Sequence, residues 1–141
     1  MKIKFLPIVL IALIAVSGLQ PIFATSPQLE DTKIAAKNGE PLKDITVSAG
    51  SDIELQARLY WYWYTIDNVK AEWIPQICRY LDFYVYGSSN NLIWSDTAIT
   101  NFFTANANPD TFTLDKGIYI LKVKYDGKLK PCESTTKIYV E

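Results

Sequence analysis

Apolar and polar positions alternate through most of this chain, and a period of two marks strands half buried against a core. From Asp52 to Tyr64 the odd positions Ile53, Leu55, Ala57, Leu59, Trp61 and Trp63 are apolar, while the even ones run Glu54, Gln56, Arg58, Tyr60, Tyr62 and Tyr64. This predicts one long strand with its odd face in the core, and a slip of one residue would instead expose Trp61 and Trp63. Cys78 to Tyr86 repeats the pattern, with Leu81, Phe83 and Val85 inward and Tyr80, Asp82, Tyr84 and Tyr86 outward. Gly117 to Tyr125 and Thr135 to Val140 alternate as clearly, the latter with Thr136, Ile138 and Val140 inward. Shorter strands are expected at 33–36, 45–48, 91–95, 99–103 and 111–114. Turn signals at Asn38-Gly39, Gly87–Asn91 and Asp126-Gly127 separate several of them.

No stretch carries a 3.6-residue period, so the fold class is all-β, with about 7–8 strands at a spacing that suits a two-sheet antiparallel sandwich. The segment Ile66–Ile77 does not alternate and holds Trp73 and Pro75, which reads as a loop or a single helical turn.

The N-terminus departs from this pattern. Lys2 and Lys4 precede an apolar run from Phe5 to Val16, and a looser stretch ends in the small residue Ala24. Residues 1–24 are therefore expected to be a signal peptide, 25–31 a flexible lead-in, and 32–141 one folded domain. The alternative is an uncleaved anchor spanning Phe5 to Phe23. After cleavage about 117 residues remain, enough for one core. Of 14 basic residues, Lys2 and Lys4 leave with the leader, against 15 acidic ones that stay. The mature chain is mildly acidic and nucleic acid is not an expected partner. No second apolar segment approaches membrane-spanning length, so the expected location is secreted, extracellular or at the cell surface.

Export also bears on the two cysteines, Cys78 and Cys132. An oxidising compartment predicts a disulfide between them, the alternative being two free buried thiols. A zinc centre is not expected, because the chain has no histidine and two cysteines leave a tetrahedral shell half empty. Without histidine the commonest general base is missing, no G-x-S-x-G or S-x-x-K pattern occurs, and the carboxylates stand singly in turns. Neither catalysis nor a cofactor or metal is expected.

The stretch Leu114-Asp115-Lys116-Gly117-Ile118-Tyr119 carries the D-x-G-x-Y spacing of a tyrosine corner, in which the hydroxyl of Tyr119 bonds back to preceding backbone. With Val47–Leu55, Leu81–Tyr86 and Leu114–Val140, the chain resembles the prokaryotic immunoglobulin-like domains of bacterial and archaeal surface and adhesin-like proteins, over roughly residues 42 to 141. The resemblance implies an immunoglobulin-like sandwich and a binding or adhesive role. Two departures qualify it: a single copy stands where those proteins carry tandem repeats, and Leu121 occupies the position of the usual core cysteine. A Cys78–Cys132 bond would then staple loops at one end of the sandwich.

Outward tyrosines supply the candidate site. Tyr80, Tyr84, Tyr86 and Tyr139, with Lys122 and Lys124, are expected on one outer sheet face, where tyrosine offers large contact area and a hydroxyl at low entropic cost. The expected partner is a protein or a surface glycan, and a self-associating envelope component is the alternative. Tyrosine also simply favours strands, and the four tryptophans read as core or loop packing.

Overall fold

The computed structural model describes residues 26–67 and 69–141. The expected signal peptide lies outside the described residues. Eight strands form the domain: β1 Thr32–Ala35, β2 Ile45–Val47, β3 Arg58–Tyr64, β4 Ala71–Pro75, β5 Tyr80–Tyr86, β6 Leu92–Ile99, β7 Gly117–Tyr125 and β8 Cys132–Val140. They make a three-stranded sheet in the order β1-β3-β4 and a five-stranded sheet in the order β2-β8-β7-β5-β6. All pairings are antiparallel except β2 with β8, which is parallel. Among the described residues no helix is long and apolar enough to cross a membrane.

The two sheets meet through the odd residues of β5 and β7 and the alternate ones of β8. Leu81, Phe83, Val85, Leu121, Val123, Tyr125, Ile138 and Val140 form one cluster with Ile34 and Leu59 of the smaller sheet. Fully burying a side chain such as Leu or Phe contributes about 1.5–3 kcal/mol, so this sandwich-like cluster is the main source of stability. Trp94 of β6 closes one end by stacking on Phe112 at 4.0 Å between ring centroids.

The long predicted strand is shorter than its pattern. Ile53, Leu55, Ala57 and Leu59 do face the core, but regular pairing begins only at Arg58. Upstream, isolated bridges join Ile53 to Phe112 and Ala57 to Ala107. The Asn108 amide donates to the Leu55 carbonyl at 3.2 Å where a ladder bond would stand. For the same reason 111–114 is not a regular strand. Tyr60, expected outside, is 5 % exposed. The Asn38-Gly39 turn folds over it, and its hydroxyl donates to the Lys37 carbonyl at 2.8 Å.

Two further expectations are corrected. Within Ile66–Ile77 lies β4, which pairs with β3 from Tyr60↔Pro75 to Tyr64↔Ala71; its residues are chosen by cross-strand contact, such as Trp73 edge-on to Tyr62 at 5.1 Å. Residues 91–95 and the start of 99–103 form one strand, β6, after which Asn101 turns the chain by accepting N–H bonds from Phe103 at 2.7 Å and Thr104 at 3.1 Å.

The expected Cys78–Cys132 disulfide is absent, and both thiols are free. Strand β7 separates them: Cys132 sits opposite Tyr125 at the start of β8, while Cys78 precedes β5 on the far side of β7. Two strand spacings put β5 and β8 roughly 10 Å apart, beyond the roughly 7 Å that a disulfide bridges between Cα atoms. Burial pushes the Cys132 thiol above its ordinary pKa, partly countered by a hydrogen bond with Thr32, whereas Cys78 is exposed. Alkylation of the native protein should therefore label Cys78 well before Cys132, and intact mass without reductant should show two thiols. Equal rates, or no label, would reject this arrangement.

Asp44 fastens the connector between β1 and β2 to β8. Its carboxylate accepts from the Thr136 hydroxyl at 2.7 Å and the Lys137 N–H at 3.0 Å, and these bonds hold its pKa below the usual value. A depressed folded pKa adds stability that is complete above the unfolded value and fades as pH falls through the folded one. The thermal midpoint should thus drop below about pH 4, and Asp44→Asn should shrink that drop. A wild-type profile matched by the variant would remove Asp44 from the account.

Candidate binding surface

The outer face of the five-stranded sheet collects the predicted site residues in rows set by register. Tyr84 lies opposite Lys122, and Tyr86 opposite Ile120. The Tyr84 and Tyr86 rings stand 6.4 Å apart, and Lys122 Nζ lies 5.9 Å from the Tyr86 ring centroid and 3.9 Å from Glu133. These three residues form one group. Lys124 is exposed and stands one row away, opposite Asp82. Tyr139, half buried, sits opposite Ile118. Tyr80 is at the other end of the face, 65 % exposed and opposite Ile99. Tyr80 and Tyr139 are separated by on the order of 25 Å of strand, so the six do not converge on one point.

Tyr119 lies under this face rather than on it. Its hydroxyl donates to the Asp115 carbonyl at 2.7 Å, and Gly117 between them has a φ of +157°, which residues with a Cβ rarely adopt. The group sets the entry of β7.

Sequence reading missed the most exposed aromatic feature. Phe102 and Phe103 are 63 % and 89 % exposed and stand against each other edge to face at 5.1 Å. Their loop is held rather than loose. Besides the Asn101 turn, Asn101 N–H donates to the Asn106 carbonyl at 2.9 Å and Ala105 N–H to the Asn101 carbonyl at 2.8 Å. Arg58 reaches across from β3, donating to the Thr104 carbonyl at 2.7 Å and to Asn106 Oδ1 at 2.7 Å. Buried Thr100 anchors the base: its carbonyl accepts from Cys78 N–H, its N–H donates to the Arg79 carbonyl, and its hydroxyl accepts from Arg79 N–H at 2.9 Å.

Around this anchor Ile77, Tyr80, Ile99, Phe102 and Phe103 are all exposed. Exposed apolar residues gathered on an ordered support are what interaction sites look like; scattered ones need no explanation. The one sequence signal is the Phe102-Phe103 pair next to Asn101, inside the stretch 99–103 expected as a short strand.

Other concavities offer less. A crevice of about 260 Å³ is lined by Leu42, Ile45 and Gln56 and by the buried Leu55, Phe83, Leu121 and Val123, and it presents no cluster of chemically active side chains. Among the described residues no group of three or more His, Cys, Asp or Glu side chains is placed to hold a metal ion. Neither models of known families, nor curated proteins, nor solved structures show a match to this chain.

Proposed function

We propose that the chain is an immunoglobulin-like binding module, secreted or displayed at the cell surface, that recognises a partner protein. The contact centres on Tyr80, Ile99, Phe102 and Phe103 and extends onto the Tyr84–Tyr86–Lys122 face. Supporting the fold are the parallel β2–β8 edge, the order β8-β7-β5-β6 and the Tyr119 hydroxyl bonded to the chain before its own strand. The observation that carries the function is the exposure of Phe102 and Phe103 on a loop already fixed by hydrogen bonds. Binding then costs little ordering entropy, and two aromatic side chains supply the buried anchor of a protein interface.

A protein fits better than a glycan, because the centre of the contact, Ile99, Phe102 and Phe103, is exposed and apolar, as the core of a protein interface is. Edge-to-edge self-association is disfavoured by Asp96 on edge strand β6, whose carboxylate accepts from the Thr97 and Asp110 N–H groups at 2.9 and 2.8 Å. A carboxylate and a bound loop segment there obstruct strand addition.

Photo-crosslinking residues placed at Phe103 and at Ala49, an exposed position beside Glu141 at the opposite end of the five-stranded sheet, test the reading on the cell surface. A single protein crosslinked from 103 and not from 49, with a monomer by light scattering, is the expected result. Crosslinking from both positions alike, a concentration-dependent oligomer, or retention on glycans alone would each overturn it.

A further inference from the structure

The Asn38-Gly39 turn carries a chemistry that neither the core nor the binding surface uses. Asn38 is exposed, and it is the one asparagine of the chain followed by glycine. Every other asparagine precedes a residue with a side chain, which crowds the approach of that residue's backbone nitrogen to the asparagine amide carbon. Gly39 has no Cβ to stand in the way.

Two hydrogen bonds set the state of the reacting groups. Glu40 N–H donates to Asn38 Oδ1 at 3.0 Å, so the side-chain carbonyl is folded back along the Asn38–Gly39 peptide. The same N–H polarises that carbonyl and meets the negative charge that attack on Cγ would place on its oxygen. The second bond opposes reaction. Gly39, held at a φ of +83°, donates its N–H to the Ala36 carbonyl at 2.9 Å, and its nitrogen is free only while the turn is open. Two struts keep it closed: the Tyr60 hydroxyl and Arg58 Nη1 both donate to the Lys37 carbonyl, at 2.8 and 3.1 Å.

We infer that Asn38 is a site of spontaneous backbone modification, turning into isoaspartate at a rate set by the opening of this turn. Gly39 N bonds to Asn38 Cγ, the Cγ–Nδ2 bond breaks, and ammonia leaves with the proton that Gly39 N gives up, closing a five-membered imide. Water then opens the ring. Cleavage at the backbone carbonyl leaves isoaspartate, and cleavage at Cγ leaves aspartate. Water is the only co-reactant.

Isoaspartate routes the chain through Cγ, which puts one extra backbone atom into a tight turn and frees a carboxylate beside exposed Glu40. The turn lies on Tyr60: a Cβ built on Gly39 would stand 4.0 Å from Tyr60 Cζ. A longer turn moves the Lys37 carbonyl away from its two donors, so the modification loosens the struts that slowed it. Arg58 also holds Thr104 and Asn106, and the change is thereby passed to the Phe102–Phe103 loop. None of this depends on which partner that loop binds.

The test is to age the purified full chain in warm, mildly alkaline buffer and to locate isoaspartate by peptide mapping and by labelling with an isoaspartyl methyltransferase. Label at residue 38 and at no other asparagine is expected, and Asn38→Gln, whose carbonyl is one bond further from the attacking nitrogen, should stay unlabelled. Tyr60→Phe should speed labelling by roughly two- to tenfold, the gain in opening from one lost hydrogen bond. Arg58→Lys, which loses the planar fork, reads the same dependence a second way. The aged protein should melt below the fresh one, while Asn38→Asp, which adds the charge without the extra atom, should melt with the fresh protein. No isoaspartate at 38, or label confined to Asp126-Gly127, overturns the site. Wild-type rates in both strut variants overturn its control by the turn, and aged protein as stable as fresh overturns the loosening.

Discussion

Phe83→Ala is expected to destabilise the protein by about 3–5 kcal/mol, the cost of emptying a fully buried aromatic site. Phe83 is 1 % exposed at the middle of β5, opposite Val123 of β7, and borders the crevice that reaches Leu42 and Leu55 from the other side. Truncation would join that crevice to a new void, and the strands flanking it are too well paired to collapse inward. Against a net stability of about 5–15 kcal/mol, most of the folding free energy is at risk. Urea denaturation followed by tryptophan fluorescence reads the loss as a lower midpoint at unchanged slope. A loss below about 1 kcal/mol would mean that the sheets are not joined through Phe83.

Arg58→Ala should come next, at about 2–3 kcal/mol, because a charged donor leaves several carbonyl and amide oxygens without their partner. Its guanidinium serves Lys37, Thr104 and Asn106 at 3.1, 2.7 and 2.7 Å, so it ties the β1 turn and the Phe102–Phe103 loop to β3. The consequence is local as well as global. Chymotrypsin should cut after Phe103 faster by about tenfold for each 1.4 kcal/mol lost from the loop's own closed state, while sites in β7 gain only what global stability loses. Arg58→Lys should recover little, since a single ammonium cannot reach three acceptors in a planar fork. A variant cut no faster at the loop would show that Asn101 holds it unaided. If the Phe102–Phe103 loop is the binding surface, this change should also weaken binding of the partner.

Legibility followed the periodicity. At Ile53, Leu55, Ala57 and Leu59, and again at Leu81, Phe83 and Val85, side chains alternate because one sheet face is dry and the other wet, and that is written residue by residue. Alternation does not record whether a partner strand is present. Ile53–Ala57 alternates well, yet Asn108 and two isolated bridges stand where a ladder would be. Conversely β4 scarcely alternates and is a strand because β3 lies beside it.

The candidate surface divides along the same line. Tyr84, Tyr86 and Lys122 were placed on one face from their parity alone, since residues two apart on a strand share a side. Phe102 and Phe103 were not found, because their exposure depends on Asn101 turning the chain and on Arg58 arriving from 44 residues earlier.

By itself the sequence determined the all-β class, the inward residues of β5, β7 and β8, and the tyrosine placed to bond back at Asp115. Those depend on local period and on neighbours a few residues away. Only the tertiary structure decided that β7 stands between the two cysteines, that Tyr60 is covered by the turn after β1, and that Phe102 and Phe103 stand out in water. Such outcomes are set by which distant segments come to lie side by side, and hydrophobic patterning constrains a residue's side of the sheet without naming its neighbour.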